Sequence, residues 1–97
     1  MRHKIVINRC YGGFGLSDEA NKWLWNAGVS ADEPLERHDP RLVRCVEALG
    51  SRKASGKYAD LRIDEIDEDK YRVCEYDGYE WVETPSSISW TKIEEEE

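Results

Sequence analysis

The chain has 97 residues, 36% of them charged, and a net charge of −7 at pH 7. That length supports one domain with one modest core. No apolar run approaches the ~20 residues of a membrane span, and Ile5-Val6-Ile7 is too short for the apolar stretch of a signal peptide, so a cytoplasmic protein is expected.

Residues 4–10 read as a strand. Ile5-Val6-Ile7 is β-branched and uninterrupted, the pattern of an inner strand covered on both faces. Tyr11-Gly12-Gly13-Phe14-Gly15 breaks it. Ser17 is placed to cap a helix, with Asp18 and Glu19 in its first turn. Ala20, Trp23, Leu24 and Ala27 then form one apolar stripe, and Gly28 ends it; Trp25 lies off the stripe. Residues 29–38 read as a loop. Asp39-Pro40 marks a second helix start, with Leu42, Val43, Cys45, Val46 and Leu49 as its buried face and Gly50 as its close. Residues 51–57, "SRKASGK", read as a flexible basic connector.

From Tyr58 the hydrophobic period changes from about 3.6 to 2. Leu61 and Ile63 alternate with Asp60, Arg62 and Asp64, a strand with one buried face. Asp67-Glu68-Asp69-Lys70 reads as a turn, and residues 71–76 and 79–83 as a hairpin joined by Asp77-Gly78. Pro85 ends the hairpin, and residues 87–93 have the makings of a short edge strand. The pattern predicts a single α+β domain over residues 1–97, with 84–97 a weakly ordered tail. Its order is strand, helix, helix, then a three-stranded antiparallel meander, with both helices on one face of the sheet.

Charge is unevenly spread. Residues 1–57 carry ten Lys/Arg and seven Asp/Glu, and residues 58–97 carry four and fourteen. The late half repels nucleic acid and attracts a basic protein surface. Its candidate docking residues are Asp64, Glu65, Asp67, Glu68, Asp69, Glu75 and Glu80. With Asp77-Gly78 at the centre of the turn, Glu75 faces Glu80 on one side of the hairpin. Cys74, Tyr76, Tyr79 and Trp81 share the other side, read as a core contribution. The opposed carboxylates are either solvated or await a cation or a partner's basic side chain.

The stretch "INRCYGGFGLS" offers a second candidate: Asn8, Cys10, Tyr11, Gly12, Gly13, Phe14 and Gly15. A glycine-rich turn before a helix can bind an anion. This one matches neither G-x-G-x-x-G nor G-x-x-x-x-G-K-[ST]. Structural tightening by glycine and a protein-contact loop with exposed aromatics are the competing readings. Cys10 with His38-Asp39 suggests a thiol hydrolase only loosely. The three cysteines are odd in number and embedded in apolar or strand-like sequence, as buried reduced thiols are. Without a C-x-x-C pair no metal site is expected, and no cofactor is implied. Tyr11, Trp25, Tyr58 and Trp90 are hard to place in a core, and exposed aromatics mark protein interfaces.

"KIVINRCYGGFGLSDEA", "RHDPRLVRCVEALG" and "EYDGYEWV" together resemble a family of small uncharacterised proteins of bacteriophages and prophages, over residues 4 to 83. The resemblance implies a phage accessory product acting in the bacterial cytoplasm. It carries over no catalytic residue. Small acidic proteins of that origin often bind and block a host or defence protein. The leading expectation is therefore a non-enzymatic, anti-CRISPR-like protein, monomer or homodimer, that binds a basic host or defence protein such as a CRISPR effector through an acidic face. The alternative is a small-ligand or nucleotide-binding domain, or an enzyme, built on the glycine-rich turn.

Overall fold

A computed structural model describes residues 2–30 and 33–87. Its elements are β1 (His3–Asn8), α1 (Asp18–Asn26), α2 (Pro40–Ala54), β2 (Leu61–Ile66), β3 (Arg72–Tyr76) and β4 (Tyr79–Glu83), closed by a 3-10 turn at Pro85–Ser87. The class is α+β, with two helices and two antiparallel two-stranded sheets. The expected edge strand at 87–93 and most of the expected tail lie outside the described residues.

The helix signals act as the sequence implies. The Ser17 side chain accepts from the Ala20 N–H at 3.0 Å and caps α1. Asp39 accepts from the Arg41 N–H at 2.8 Å and caps α2, with Pro40 in its first turn. Each cap occupies a backbone donor that the helix itself leaves unpaired. Gly50 closes the first run of α2, as expected: at φ +83° and ψ +158° it is non-helical, and a separate short turn follows over residues 51–54 beyond this kink.

That extra turn corrects the reading of 51–57 as a flexible connector. Ser17 N–H donates to Ala54 O (2.9 Å) and Gly56 N–H to Gly15 O (2.9 Å). The Ser55 hydroxyl accepts from the Leu61 N–H (2.8 Å), and the Ser51 hydroxyl reaches Asp60 (3.0 Å). Small hydroxyl side chains here bond to neighbouring backbone and make a pinned corner.

The meander is not formed. β2 pairs with β1, from His3↔Ile66 to Asn8↔Leu61, and not with β3. Two forces favour this partner. Val6 faces Ile63 across the ladder, and Val6 and Leu61 enter one core with Ala20, Leu24, Leu42, Val43, Cys45 and Val46. The cations that flank β1 also meet the acids of β2, with Arg9–Asp64 at 3.3 Å and Arg2–Glu65 at 3.1 Å. Opposite charges across a strand pair stabilise it modestly. α2 lies against β1 and β2, and α1 packs on α2. Ile5 and Ile7 point away from Val6 yet are fully buried, as expected of an inner strand.

The outer edge of β1 is closed without a strand. Val6 N–H donates to Arg37 O (2.8 Å), and Arg37 Nη1 donates to Val6 O (3.3 Å). Asn8 N–H donates to Glu80 Oε1 at 2.8 Å. Arg37 grips the same carboxylate through Nη1 (2.5 Å) and Nη2 (2.9 Å), with its guanidinium 3.8 Å above the Phe14 ring.

The hairpin register is the one expected, Glu75↔Glu80 and Tyr76↔Tyr79, with Asp77 (φ +53°) and Gly78 (φ +93°) in the turn. Its inward side is the opposite of the one expected. Glu80 is 4% exposed, while Tyr76 is 73% exposed. Burial of a carboxylate is tolerable because Arg37 and the Asn8 amide satisfy it.

On the hairpin's other side the Trp81 indole N–H (3.1 Å) and the Arg72 guanidinium (2.6 and 2.8 Å) hold Glu83. These donors, the indole first, lower the Glu83 carboxyl from about 4.5 to about 2. A lowered carboxyl stabilises the fold above its unfolded value and loses that contribution as pH falls through its folded value. Glu83→Gln therefore melts below the parent at pH 7, and the gap closes between about pH 4.5 and 2. Thermal melts across that range check this, and a gap that persists to pH 2 contradicts it.

Candidate functional site

The end of the molecule where β1, the glycine turn and the hairpin turn meet is built on Asn8. Asn8 is fully buried and every polar atom of its side chain is used. Its Nδ2 donates to Cys10 O (2.8 Å) and Gly78 O (2.9 Å), and its Oδ1 accepts from the Asp60 N–H (2.8 Å). One amide thus ties the turn after β1, the segment before β2 and the hairpin tip together. A satisfied buried polar hub of this kind rigidifies its surroundings. Cys10 adds a contact: its Sγ lies 2.9 Å from Tyr58 O.

The glycines allow backbones to touch. A Cβ on Gly12 would stand 1.9 Å from Tyr58 O, and one on Gly78 would stand 2.6 Å from both Gly13 N and Tyr11 O. The turn is held between residue 58 and the hairpin tip, which favours structural tightening over a phosphate cradle. Phe14 turns away beneath Arg37, and Gly15 O receives the Gly56 N–H.

This framework holds a row of tyrosines. Tyr11 and Tyr79 rings lie 5.5 Å apart at 34°, and Tyr76 pairs with Tyr79 across the hairpin. The Tyr58 backbone lies against Gly12 at the same end. Tyr11 is 66%, Tyr58 68% and Tyr76 73% exposed. Arg9 lies over Tyr79 at 5.5 Å and donates to its hydroxyl at 3.1 Å, while Lys57 Nζ lies 5.4 Å over Tyr58. Glu75 and Asp77 flank Tyr76 in the chain, are exposed and have no ion-pair partner among the described residues.

The seven candidate acidic residues do not form one face. Asp64 and Glu65 are neighbours on a strand and so leave opposite sides of β2. Asp64 pairs with Arg9, and Glu65 with Arg2, which also reaches Asp67 at 3.6 Å. Glu68 accepts from the Ser86 N–H at 3.3 Å and from its hydroxyl. Ser86 then lowers the Glu68 carboxyl below its usual range. Asp69 lies with His38 and Tyr71 at the opposite end of β1 from the tyrosines. Glu75 is exposed, and Glu80 is buried beneath Arg37.

The thiol-hydrolase arrangement is not assembled. His38 Nδ1 is 2.6 Å from the Tyr71 hydroxyl, Asp39 holds Arg41, and Cys10 is bonded to Tyr58. Cys45 alone of the three free thiols is fully buried, and burial raises its pKa; Cys10 and Cys74 are half-buried. Among the described residues no group of three His, Cys, Asp or Glu is placed to hold a metal ion. No helix among them is long and apolar enough to cross a membrane. A cavity of about 180 Å³ lies beside exposed Trp25, lined by Phe14, Leu24, Val29 and Leu42 together with Asn21 and Glu33. It suits one side chain better than a nucleotide.

No protein-family model, curated protein or solved structure matches this chain.

Sequence reasoning placed Tyr76 and Tyr79 in the core and passed over Arg9 and Lys57. The usable signal was the hairpin tip itself: residues flanking a two-residue turn project furthest from the body of the sheet.

The framework makes a sharp contrast between two glycines. Gly12→Ala forces a clash with Tyr58 backbone, whereas Gly15 has open space at its Cβ. Overpacking of this kind costs about 1–3 kcal/mol, so Gly12→Ala is expected to lower Tm by roughly 5–20 °C. Gly15→Ala is expected to leave it nearly unchanged. Calorimetry on both variants checks this, and equal melting of the two contradicts it.

Proposed function

We propose that this chain is a non-enzymatic docking protein that binds a basic protein surface through its tyrosine end. The observation that carries the reading is the gathering of Tyr11, Tyr79, Tyr76 and Tyr58 at one end of the molecule, three of them about two-thirds exposed or more, with the Tyr11 and Tyr79 rings 5.5 Å apart, on a framework of described residues with no unsatisfied buried side chain. Single exposed apolar residues are ordinary, but several tyrosines gathered at one end have the composition of an interface core. Tyrosine offers a large contact area at small entropic cost.

The net charge of −7 supports a basic partner. The carboxylates on both faces of β2 and in the 67–69 turn act at long range, steering the partner in, while the tyrosines make the lasting contact. The resemblance to phage accessory proteins supports a host or defence protein that handles nucleic acid, a CRISPR effector for example, as the partner class and inhibition as the outcome.

The test is retention of basic proteins from a bacterial lysate on immobilised chain. Tyr11→Ser with Tyr76→Ser is expected to weaken capture tenfold or more, the scale of an interface hot spot. Asp67→Lys with Asp69→Lys is expected to slow association and flatten its salt dependence. Capture that both variants leave intact, or that salt does not weaken, contradicts the reading, provided both variants keep the parent's melting temperature.

A further inference from the structure

The tyrosine end also indicates which chemical group of the partner it grips, an inference that rests on the docking reading above. Three aromatic rings in the described structure already carry a cation: Phe14 under Arg37 at 3.8 Å, Tyr79 under Arg9 at 5.5 Å, and Tyr58 under Lys57 at 5.4 Å. In the two arginine cases the guanidinium also meets a carboxylate. Arg37 pairs with Glu80 at 2.5 Å and Arg9 with Asp64 at 3.3 Å. The protein thus builds the same unit twice, an aromatic ring, a guanidinium and a carboxylate.

Tyr11 and Tyr76 are the exposed rings of the row that carry no cation among the described residues. Asp77 heads the turn beside Tyr76 and is exposed and unpaired there, and Glu75 adds negative potential from the other face of β3. Tyr76 thus has an uncovered ring and a carboxylate next to it in the chain, and Tyr11 an uncovered ring resting beside Tyr79; neither has the cation. We propose that Tyr11 and Tyr76 receive arginine side chains of the partner, which complete from outside the unit the protein builds within itself.

The chemistry selects arginine over lysine. A guanidinium is planar and weakly hydrated, so it stacks on a ring while its edge still donates to a carboxylate; an ammonium is a compact, strongly hydrated charge. Arg9 does not oppose an incoming cation strongly, because Asp64 neutralises it. Tyr58 is a poorer receiver, since Lys57 already occupies its ring. Tyr11 needs less ordering on binding, because its ring already rests against Tyr79.

The experiment is an NMR titration of the isotope-labelled full chain with short glycine-spaced arginine peptides and their lysine and citrulline counterparts. The arginine peptide is expected to shift the amides of Tyr11, Tyr76 and Asp77, to bind more tightly than the lysine peptide, and to lose that effect as citrulline. Tyr11→Leu and Tyr76→Leu, which keep bulk and remove the ring face, each weaken it about two- to five-fold; Tyr71→Leu, at the opposite end of β1, leaves it nearly unchanged. Equal binding of arginine and lysine peptides overturns the inference and leaves the docking reading standing. So does an absence of shifts at these residues while lysate capture still depends on Tyr76. Shifts confined to the 67–69 turn overturn both.

Discussion

An unpaired strand edge is a row of backbone donors and acceptors that must find partners or water. β1 is buried on both faces, so its outer edge needs partners within the fold. Arg37 and Glu80 supply them. The arginine gives its own carbonyl to Val6 N–H and its guanidinium to Val6 O. The glutamate accepts the Asn8 N–H and is itself held by the arginine. Neither side chain could sit there alone, since a buried carboxylate without its cation costs several kcal/mol. The pair joins β1, the loop before α2 and β4, and it rests on Phe14 from the glycine turn. Four stretches of chain, far apart in sequence, meet at one ion pair.

This arrangement decides which way the hairpin faces. Because Glu80 must turn toward Arg37, alternation along β4 sends Tyr79 and Trp81 to the other side, and the cross-strand partner Tyr76 goes with them. A polar contact at the strand edge is therefore what exposes the tyrosines. Asn8 and the close-packed glycines then hold the neighbouring turn against the hairpin tip, so that Tyr11 meets Tyr79. The surface we assign to docking is a consequence of how the inner strand is satisfied. Charge follows a similar logic. Arg2 and Arg9, on either side of β1, neutralise much of the acid on β2, and the excess negative charge is spread around the molecule, suited to long-range attraction more than to a single contact face.

Local signals were legible in the sequence. Ser17 and Asp39 cap the helices, Ile5-Val6-Ile7 is buried, and the Asp77-Gly78 turn sets the hairpin register residue for residue. These depend on spacings of a few residues. What stayed hidden depends on contacts across the chain. The partner of β2 is set by side chains 53 to 63 residues away, and no local pattern distinguishes β1 from β3 in that role. Glu80 reads as a solvent-facing acid until Arg37 is placed beside it. The acidic run suggests one face only if residues close in sequence also point the same way, which strand alternation forbids for Asp64 and Glu65. Of the glycine-turn residues, Tyr11 was correctly noted as hard to bury, and the glycines' role in close backbone approach was one of the readings open from sequence.

The central claim is that the Arg37–Glu80 pair closes the edge of β1, and amide hydrogen exchange at Val6 and Asn8 tests it most directly. The account predicts core-like protection of both amides in the parent chain. In Glu80→Ala it predicts a loss of about 3 kcal/mol in stability, read at Asn8 as exchange about 100-fold faster. Rapid exchange of the Asn8 amide in the parent, or a Glu80→Ala variant within about 0.5 kcal/mol of it, would contradict the account.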